Sequence, residues 1–272
     1  MNQYTDLVNI LIDKHFDLYF KNEVENGNHS SLNMVKYTLT NGKRIRPSII
    51  MDIINTLNPS FNPNFEVLCI EYIHSASLVI DDLPCMDNAK QRRGQDCTHI
   101  KYSEANAQLS SIILLSMGMD SIMYYKDHTQ FKKILPLLSG MLGINGAAGG
   151  QLLDLNGGCK PNELIYKKTG KFFEFCFMVG WIIGGGTDQR LEEVKDLAYK
   201  FSMVFQIIDD FEDQSEDQPH NNYVLYHGFQ TSIIDLGNGI SEFQSKLENL
   251  NLTSPFFTSL IDYFYQKLTT FV

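Results

Sequence analysis

Hydrophobic residues recur at helical spacing along most of the chain. The stripe nearest the N-terminus comprises Val8, Leu11, Ile12, Phe16 and Tyr19. A second stripe comprises Phe65, Leu68, Tyr72, Ala76 and Val79. Because residues three or four apart share one face of a helix, each stripe predicts a helix with one buried face. The longest pattern runs through residues 187–218, which contain neither Gly nor Pro, and predicts one long helix.

Three further segments are long enough to form helices: 104–126, 131–154 and 162–183. The polar stretches KDHTQ and NGGCKP punctuate them and predict turns. Alternating strand patterns bounded by hairpin signals are scarce. The chain therefore predicts an all-α fold in which residues 1–272 form a single domain. We expect a bundle of long, mostly antiparallel helices, with a ligand site in a deep central cleft between them.

Composition narrows the functional classes. The 272 residues are 43% hydrophobic, enough for one large core, and carry a formal net charge of -10. This balance argues against a nucleic-acid partner, because such binding depends on neutralisation of phosphates by Lys and Arg. The five cysteines show neither metal-ligand spacing nor an even disulfide framework. They favour a reducing compartment and argue against zinc.

The sequence predicts neither a targeting signal nor a membrane span. The first 25 residues contain several acidic side chains, which transit peptides and secretory signals disfavour. The longest apolar stretch, residues 172–185, contains Glu174 and is too short to cross a bilayer. We therefore expect a soluble, cytoplasmic protein.

Two aspartate clusters follow predicted helices. The first, within LVIDDLPCMDN, consists of Asp81, Asp82 and Asp87. The second, within FQIIDDFED, consists of Asp209, Asp210 and Asp213. Pro84 cannot continue a helix, so the chain must bend there, which would return Asp87 toward the preceding pair. In the second cluster, Asp209 and Asp213 are about 40° apart on a regular helix and share a face.

Crowded carboxylates repel one another unless a cation lies among them. Oxygen ligands suit Mg²⁺, which keeps bound waters and takes its remaining ligands from substrate phosphates. Two such clusters predict a group of Mg²⁺ ions that holds a polyphosphate. Taken singly, each cluster is equally typical of a solvated helix end or turn.

Basic residues are concentrated in two short runs, NGKRIRP at 41–47 and QRRGQ at 91–95. Guanidinium groups bind phosphate oxygens through two parallel hydrogen bonds, and lysine acts as a point charge. Either run alone is typical of a solvated surface. Their occurrence beside two aspartate triplets favours a phosphate-binding site.

These segments, in this order, resemble the trans-polyprenyl diphosphate synthase family, which includes farnesyl and geranylgeranyl diphosphate synthases. The resemblance runs from about Gly42 to Asp213 and rests on GKRIRP, HSASLVIDDLPCMDN with RRG and TH, GGQLLDL, KKTG and FQIIDDFED. DDLPCMDN is similar to the geranylgeranyl type, with four residues between the aspartates. The resemblance implies the isoprenoid synthase fold, a homodimer, and a transferase that condenses isopentenyl diphosphate with an allylic diphosphate.

The resemblance also implies roles for individual residues. Three Mg²⁺ ions would be held by Asp81, Asp82, Asp87, Asp209, Asp210 and Asp213. The allylic diphosphate would also be contacted by Arg92, Lys168, Thr169 and Gln206. The diphosphate of isopentenyl diphosphate would be held by Lys43, Arg46, His74 and Arg93. The residues expected to act in catalysis are Asp81, Asp82, Arg92, Lys168 and Asp209. His74 shares a helix face with Asp81, seven residues later, although such a histidine is also commonly a packed or capping residue.

Two small residues below the first cluster bear on product length. Ser77 precedes Asp81 by one turn, about 6 Å along a helix, and Ala76 lies beside it. In the family, a bulky aromatic near these positions stops elongation early. Their small size here favours a C20 product, although Ala and Ser are also ordinary helix-packing residues.

The chain departs from the family pattern after the second cluster. The family usually continues with a lysine-containing loop, whereas here no lysine occurs between Lys200 and Lys246. The segment NAKQ at 88–91 lacks the acidic residues often found there. A regulatory or weakly active subunit is therefore a second hypothesis, and a class I terpene cyclase is a third. Retention of all six aspartates argues against the former, and GKRIRP with the second acidic motif argues against the latter.

Overall fold

Helices make up nearly all of the secondary structure, which confirms the all-α prediction. The computed structural model describes residues 4–21, 29–157, 160–213 and 221–272. The chain forms two compact units. We call residues 2–48 and 62–127 the N-terminal unit, and residues 49–61 and 128–272 the C-terminal unit. The single-domain assignment stays a prediction.

In chain order the helices are α1 (Thr5–Tyr19), α2 (His29–Leu39), α3 (Ile45–Leu57), α4 (Cys69–Asp81), α5 (Thr98–Lys101), α6 (Glu104–Ile122), α7 (His128–Leu142), α8 (Ala147–Asn156), α9 (Pro161–Ile165), α10 (Lys171–Ile183), α11 (Leu191–Glu212), α12 (Tyr223–His227), α13 (Phe229–Asn249) and α14 (Pro255–Phe271). Two 3₁₀ segments, Phe65–Leu68 and Asp188–Arg190, precede α4 and α11, and a π-helical turn, Tyr166–Gly170, joins α9 to α10.

In the N-terminal unit, α4 packs closely against α6. Gly118 of α6 lies against Ile73 of α4, and a Cβ at Gly118 would be only 2.8 Å from the Ile73 side chain. Further along the same contact, the Ser111 hydroxyl donates to the carbonyl of Ala76 at 3.0 Å. This close approach fixes α4, the helix that leads into the first aspartate cluster.

A hairpin interrupts the helices of the N-terminal unit. Strands β1 (Gln91–Arg92) and β2 (Gln95–Asp96) are antiparallel, with Arg92 opposite Gln95. The turn residues Arg93 and Gly94 have φ of 54° and 74°. Positive φ at both central positions is typical of a two-residue hairpin turn. The periodicity gave no indication of these short strands.

In the C-terminal unit, α10 forms the core. All residues from 172 to 183 are buried. The Phe173 ring lies 4.8 Å from that of Phe201, and Phe201 lies 5.3 Å from Phe243, centroid to centroid. Aromatic contacts of this kind bury large apolar areas and join α10, α11 and α13. In the parts of the chain that the structure describes, no helix is both long and apolar enough to cross a membrane.

The structure divides two of the predicted helices. Segment 131–154 breaks between α7 and α8, where Gly146 has φ of -133° and ψ of -140°, outside the helical region. Segment 162–183 contains the π-helical turn. The long helix predicted for 187–218 is confirmed from residue 191 to 212, and residues 214–218 lie outside the described ranges.

Candidate active site

The first aspartate cluster lies at the C-terminal end of α4. Asp81 is the last helical residue, and the backbone N–H of Asp87 donates to the carbonyl of Asp81 at 2.9 Å. The chain therefore turns back after Pro84, which confirms the predicted bend. Asp82 is buried at 4% exposure, whereas Asp81 is partly exposed and Asp87 is exposed. The three carboxylates thus have different environments.

Arg92 of the hairpin binds the buried aspartate. Its Nε and Nη2 atoms donate to Oδ1 of Asp82 at 2.9 and 2.6 Å. Burial opposes the charge on Arg92, but the bond to Asp82 outweighs this effect and raises the pKa of Arg92. Burial, together with Asp82, also raises the pKa of Cys97 to about 12, so this thiol stays protonated beside the carboxylate. Asp82 therefore fixes the hairpin relative to α4.

Arg46 and His74 are also paired. Arg46 Nη1 lies 3.0 Å from His74 Nε2. Burial, followed by the positive charge of Arg46 and neighbouring arginines, lowers the pKa of His74 well below its ordinary value. His74 is therefore neutral near pH 7. Since a guanidinium only donates hydrogen bonds, Nε2 is the acceptor and the His74 proton resides on Nδ1.

One face of α4 holds several arginines. Glu71, His74 and Asp82 lie within about 80° of one another at 100° per residue. His74 contacts Arg46, Asp82 contacts Arg92, and Glu71 contacts both Arg44 and Arg93. Lys43, in the same basic run, is exposed. Glu71 and Arg44 were not among the residues predicted from the sequence. The signal for Glu71 was an acidic residue within the apolar stripe that runs from Phe65 to Val79.

The second aspartate cluster lies at the C-terminal end of α11. Asp210 is 1% exposed, and both of its carboxylate oxygens accept hydrogen bonds. Gln206 Nε2 donates to Oδ1 at 2.8 Å, and the backbone N–H of Tyr223 donates to Oδ2 at 2.6 Å. Asp210 therefore joins α11 to the start of α12. Asp209 is partly exposed and Asp213 is exposed.

Lys168 and Thr169 lie in the π-helical turn. Lys168 Nζ is 2.6 Å from Oδ2 of Asp154 in α8, and Thr169 is partly buried. Gly150 of α8 packs against the backbone of Lys168, where a Cβ would be 2.6 Å from the Lys168 nitrogen. π-Helical turns are rare in proteins, and those that occur often lie at functional sites. Asp154 was not among the residues predicted from the sequence, although it lies within the GGQLLDL segment.

The two residues predicted to limit product length differ in burial. Ala76 is 1% exposed, and its carbonyl accepts the Ser111 hydroxyl of α6. Ser77 is partly exposed, and its hydroxyl donates to the carbonyl of His74 at 2.9 Å. Their role in setting product length stays a prediction.

The N-terminal unit thus contains the first aspartate cluster, GKRIRP, RRG and His74. The C-terminal unit contains Lys168, Thr169, Gln206 and the second cluster. That the two triplets share a ligand stays a prediction. Residues 214–220, the start of the loop that departs from the family pattern, lie outside the described ranges.

Comparison with known proteins identifies the family and the fold of the chain. The sequence model of the family described as "Polyprenyl synthetase" matches residues 29–224. A trans-prenyltransferase of African swine fever virus (strain Badajoz 1971 Vero-adapted) is 30% identical over 273 residues, covering 94% of this chain and 81% of the viral protein. Geranylgeranyl pyrophosphate synthase 4 of Arabidopsis thaliana is 32% identical over 190 residues, 65% of this chain and 51% of the plant protein.

A solved structure extends the comparison to the fold. The apo crystal structure of an FPP/GFPP synthase from Zymomonas mobilis matches with a TM-score of 0.77 at 23% identity, covering 96% of this chain and 99% of that one. This likeness identifies the isoprenoid synthase fold. The chain therefore belongs to the polyprenyl synthetase family and is a prenyl-transferring enzyme.

Proposed function

We propose that this enzyme condenses isopentenyl diphosphate with an allylic diphosphate in a Mg²⁺-dependent reaction, with geranylgeranyl diphosphate as the main product. One observation supports the proposal: a single face of α4 holds two separate guanidinium groups, each suited to bind a diphosphate. Arg46 is fixed by His74, and Arg92 is fixed by Asp82 beside the exposed Asp87. A cyclase, which ionises one allylic diphosphate, would need only the second group.

The donor chemistry fits Mg²⁺. Asp81, Asp87 and Asp209 are at least partly exposed and offer oxygen ligands. No three His, Cys, Asp or Glu side chains are grouped as a protein-only metal cage among the residues described. Mg²⁺ commonly binds through one or two carboxylates together with substrate phosphates, so such a cage is not needed.

We infer three Mg²⁺ ions bound by the two triplets, Asp81, Asp82, Asp87, Asp209, Asp210 and Asp213. Asp82 and Asp210 are buried and accept hydrogen bonds from the protein, so their main contribution is to hold neighbouring groups in place. When bound, the ions neutralise charge that develops on the departing pyrophosphate.

Different residues of the chain would bind the two substrates. Lys43, Arg46, His74 and Arg93 hold isopentenyl diphosphate and orient its double bond toward the allylic carbon. Arg92, Lys168 and Thr169 bind the allylic diphosphate, and Gln206 acts through its bond to Asp210. Beside the first cluster, Val79, Leu83 and Ala107 form a buried apolar group. Such a group excludes water, which would otherwise quench an allylic cation to an alcohol.

The test is product mass. Purified protein is incubated with Mg²⁺, isopentenyl diphosphate and a C5, C10 or C15 allylic primer. We expect products extended in five-carbon steps up to C20. A folded protein that extends no primer would refute the proposal.

A non-catalytic subunit is the second candidate function. It is favoured by the absence of lysine between Lys200 and Lys246. If this candidate were correct, the chain alone would leave all primers unchanged and would alter the rate of an active prenyl synthase added to the mixture.

We also propose a cytoplasmic homodimer. The four cysteines that the structure describes, Cys69, Cys85, Cys97 and Cys176, are free thiols, which supports a reducing compartment. Three large apolar side chains lie on one exposed face of α6, Leu109, Ile112 and Met119, and Met123, directly after the helix, is also exposed. An apolar stripe of this kind is typical of a protein interface. Sedimentation equilibrium should give twice the chain mass for the wild type and a reduced association constant for Ile112→Glu.

A further inference from the structure

We propose that Glu71 is a positioning residue for the isopentenyl diphosphate site, which it assembles by holding Arg44 and Arg93 from two different loops. This inference rests on the proposed function, since it concerns the same cations. Glu71 lies on α4, one turn before His74, and is 2% exposed. Neither Glu71 nor Arg44 has a role in the substrate contacts proposed above.

Arg44 is the first partner of Glu71. It is 6% exposed, and its Nη1 donates to Oε1 of Glu71 at 2.5 Å. Its remaining nitrogens donate to Oδ1 of Asn9 at 2.9 Å and to the carbonyl of Leu39. A buried guanidinium with three acceptors is fixed in position. Because Arg44 lies between Lys43 and Arg46, this anchor also fixes the backbone that presents both proposed ligands.

The backbone of residues 41–47 contains two residues in a strained conformation, which the contacts of Arg44 must maintain. Asn41 and Arg44 have φ of 58° and 56°, in the left-handed region that favours glycine. A long side chain adopts this conformation at an energetic cost, and surrounding contacts must maintain it. The bonds from Arg44 to Glu71, Asn9 and Leu39 are those contacts.

Arg93 is the second partner of Glu71. Its Nη2 lies 3.9 Å from the same Oε1 atom that Arg44 contacts. Its Nη1 is 3.5 Å from the carbonyl of Thr38, and Asn41 Nδ2 donates to the Arg93 carbonyl at 3.3 Å. Two guanidinium groups thus converge on one carboxylate. Without the negative charge of Glu71 they would repel each other, and Arg93 would move away from the basic run.

Gly42 provides independent evidence that the Arg44–Glu71 pair determines the conformation of the segment that precedes α3. A Cβ at Gly42 would be 2.2 Å from Arg44 Nη1 and 2.8 Å from Glu71 Oε1. Gly42 does not have positive φ, so its backbone conformation would accept alanine. The absence of a side chain at this position therefore provides the space that the Arg44–Glu71 pair occupies.

The experiment measures KM separately for isopentenyl diphosphate and for the allylic primer. Glu71→Gln removes the charge with little change in shape. Gly42→Ala displaces the Arg44 guanidinium without altering any charge. The matched controls are Glu66→Gln, which changes another carboxylate of the N-terminal unit at 3% exposure, and Gly140→Ala, where a Cβ meets nothing within 4 Å. Circular dichroism spectra verify that each variant is folded.

We expect both test variants to raise KM for isopentenyl diphosphate by about tenfold, with KM for the allylic primer changed by less than about twofold. The controls should leave both constants near wild type. An unchanged KM for isopentenyl diphosphate in folded Glu71→Gln, or an equal rise for both substrates, would overturn the inference. If Glu71→Gln fails to fold, the result for Gly42→Ala decides in the same way.

Calorimetric titration with isopentenyl diphosphate separates this inference from the proposed function. One outcome is that the wild type extends no primer but binds isopentenyl diphosphate, and that Gly42→Ala and Glu71→Gln bind it more weakly than the wild type. This outcome would refute the proposed condensation and support the role of Glu71. A wild-type protein that does not bind isopentenyl diphosphate at all would refute the role of Glu71.

Discussion

Asp82 and Asp87 of the first cluster should differ in how much stability the protein loses when each is replaced by asparagine. Asp82→Asn removes the negative charge of a carboxylate that accepts two hydrogen bonds from Arg92. Asp87→Asn changes an exposed side chain. A hydrogen bond to a charged group contributes about 1.5–3 kcal/mol. The Arg92 side chain is 40% exposed, so solvent screening reduces the effect, and asparagine retains an acceptor oxygen. We therefore expect Asp82→Asn to cost about 2 kcal/mol and Asp87→Asn less than about 0.5 kcal/mol.

Differential scanning fluorimetry measures this difference. For a chain of this size, about 2 kcal/mol corresponds to a fall in Tm of roughly 4–8 °C. Activity supplies a second readout, because Asp87→Asn should be partly restored by higher Mg²⁺ concentration while Asp82→Asn should not. Equal Tm values for the two variants would refute the assignment of Asp82 as the residue that holds the hairpin.

Three further predictions follow from other parts of the molecule. His15 is buried and contacts Tyr72, and burial lowers its pKa although Asp120 opposes this shift. The neutral imidazole therefore stabilises the folded protein fully above the unfolded pKa of about 6.5, and this contribution is lost as pH falls below that value. Urea midpoints of the wild type should fall between pH 7 and pH 5, and His15→Gln should flatten this dependence; an equal slope would contradict it. Gly150→Ala should lower the free energy of unfolding by about 1–3 kcal/mol, because its Cβ would overlap the backbone of Lys168, and an unchanged urea midpoint would contradict this contact. Ala76→Phe should shorten the main product, as measured by mass spectrometry, and an unchanged product length would exclude Ala76 as the floor of the chain-binding site.

Much of the helical framework could be predicted from sequence because one face of each helix is apolar. The stripes that begin at Val8 and Phe65, and the one that ends before Asp209, correspond to observed helices. The break near Gly146 was not predictable from periodicity, because both flanking segments are helical and it is the backbone conformation of Gly146 that departs from the helix. The π-helical turn packs against Gly150, a contact between residues distant in sequence that periodicity does not report.

The site was predictable as a set of residue types but not as a set of environments. The motifs predicted which aspartates and arginines take part in the chemistry. They did not indicate that Asp82 and Asp210 are buried while Asp87 and Asp213 are exposed, since burial depends on the hairpin and on α12. Glu71 pairs with an arginine 27 positions away, and no local pattern identifies such a partner.

Transfer of isotope from labelled isopentenyl diphosphate into a longer prenyl diphosphate tests the central claim most directly. We predict that the purified chain incorporates label only when Mg²⁺ and an allylic primer are both present, with C20 as the longest abundant product. Consumption of the primer without incorporation of label would indicate a cyclase. A folded chain that consumes neither substrate would contradict catalysis by this chain.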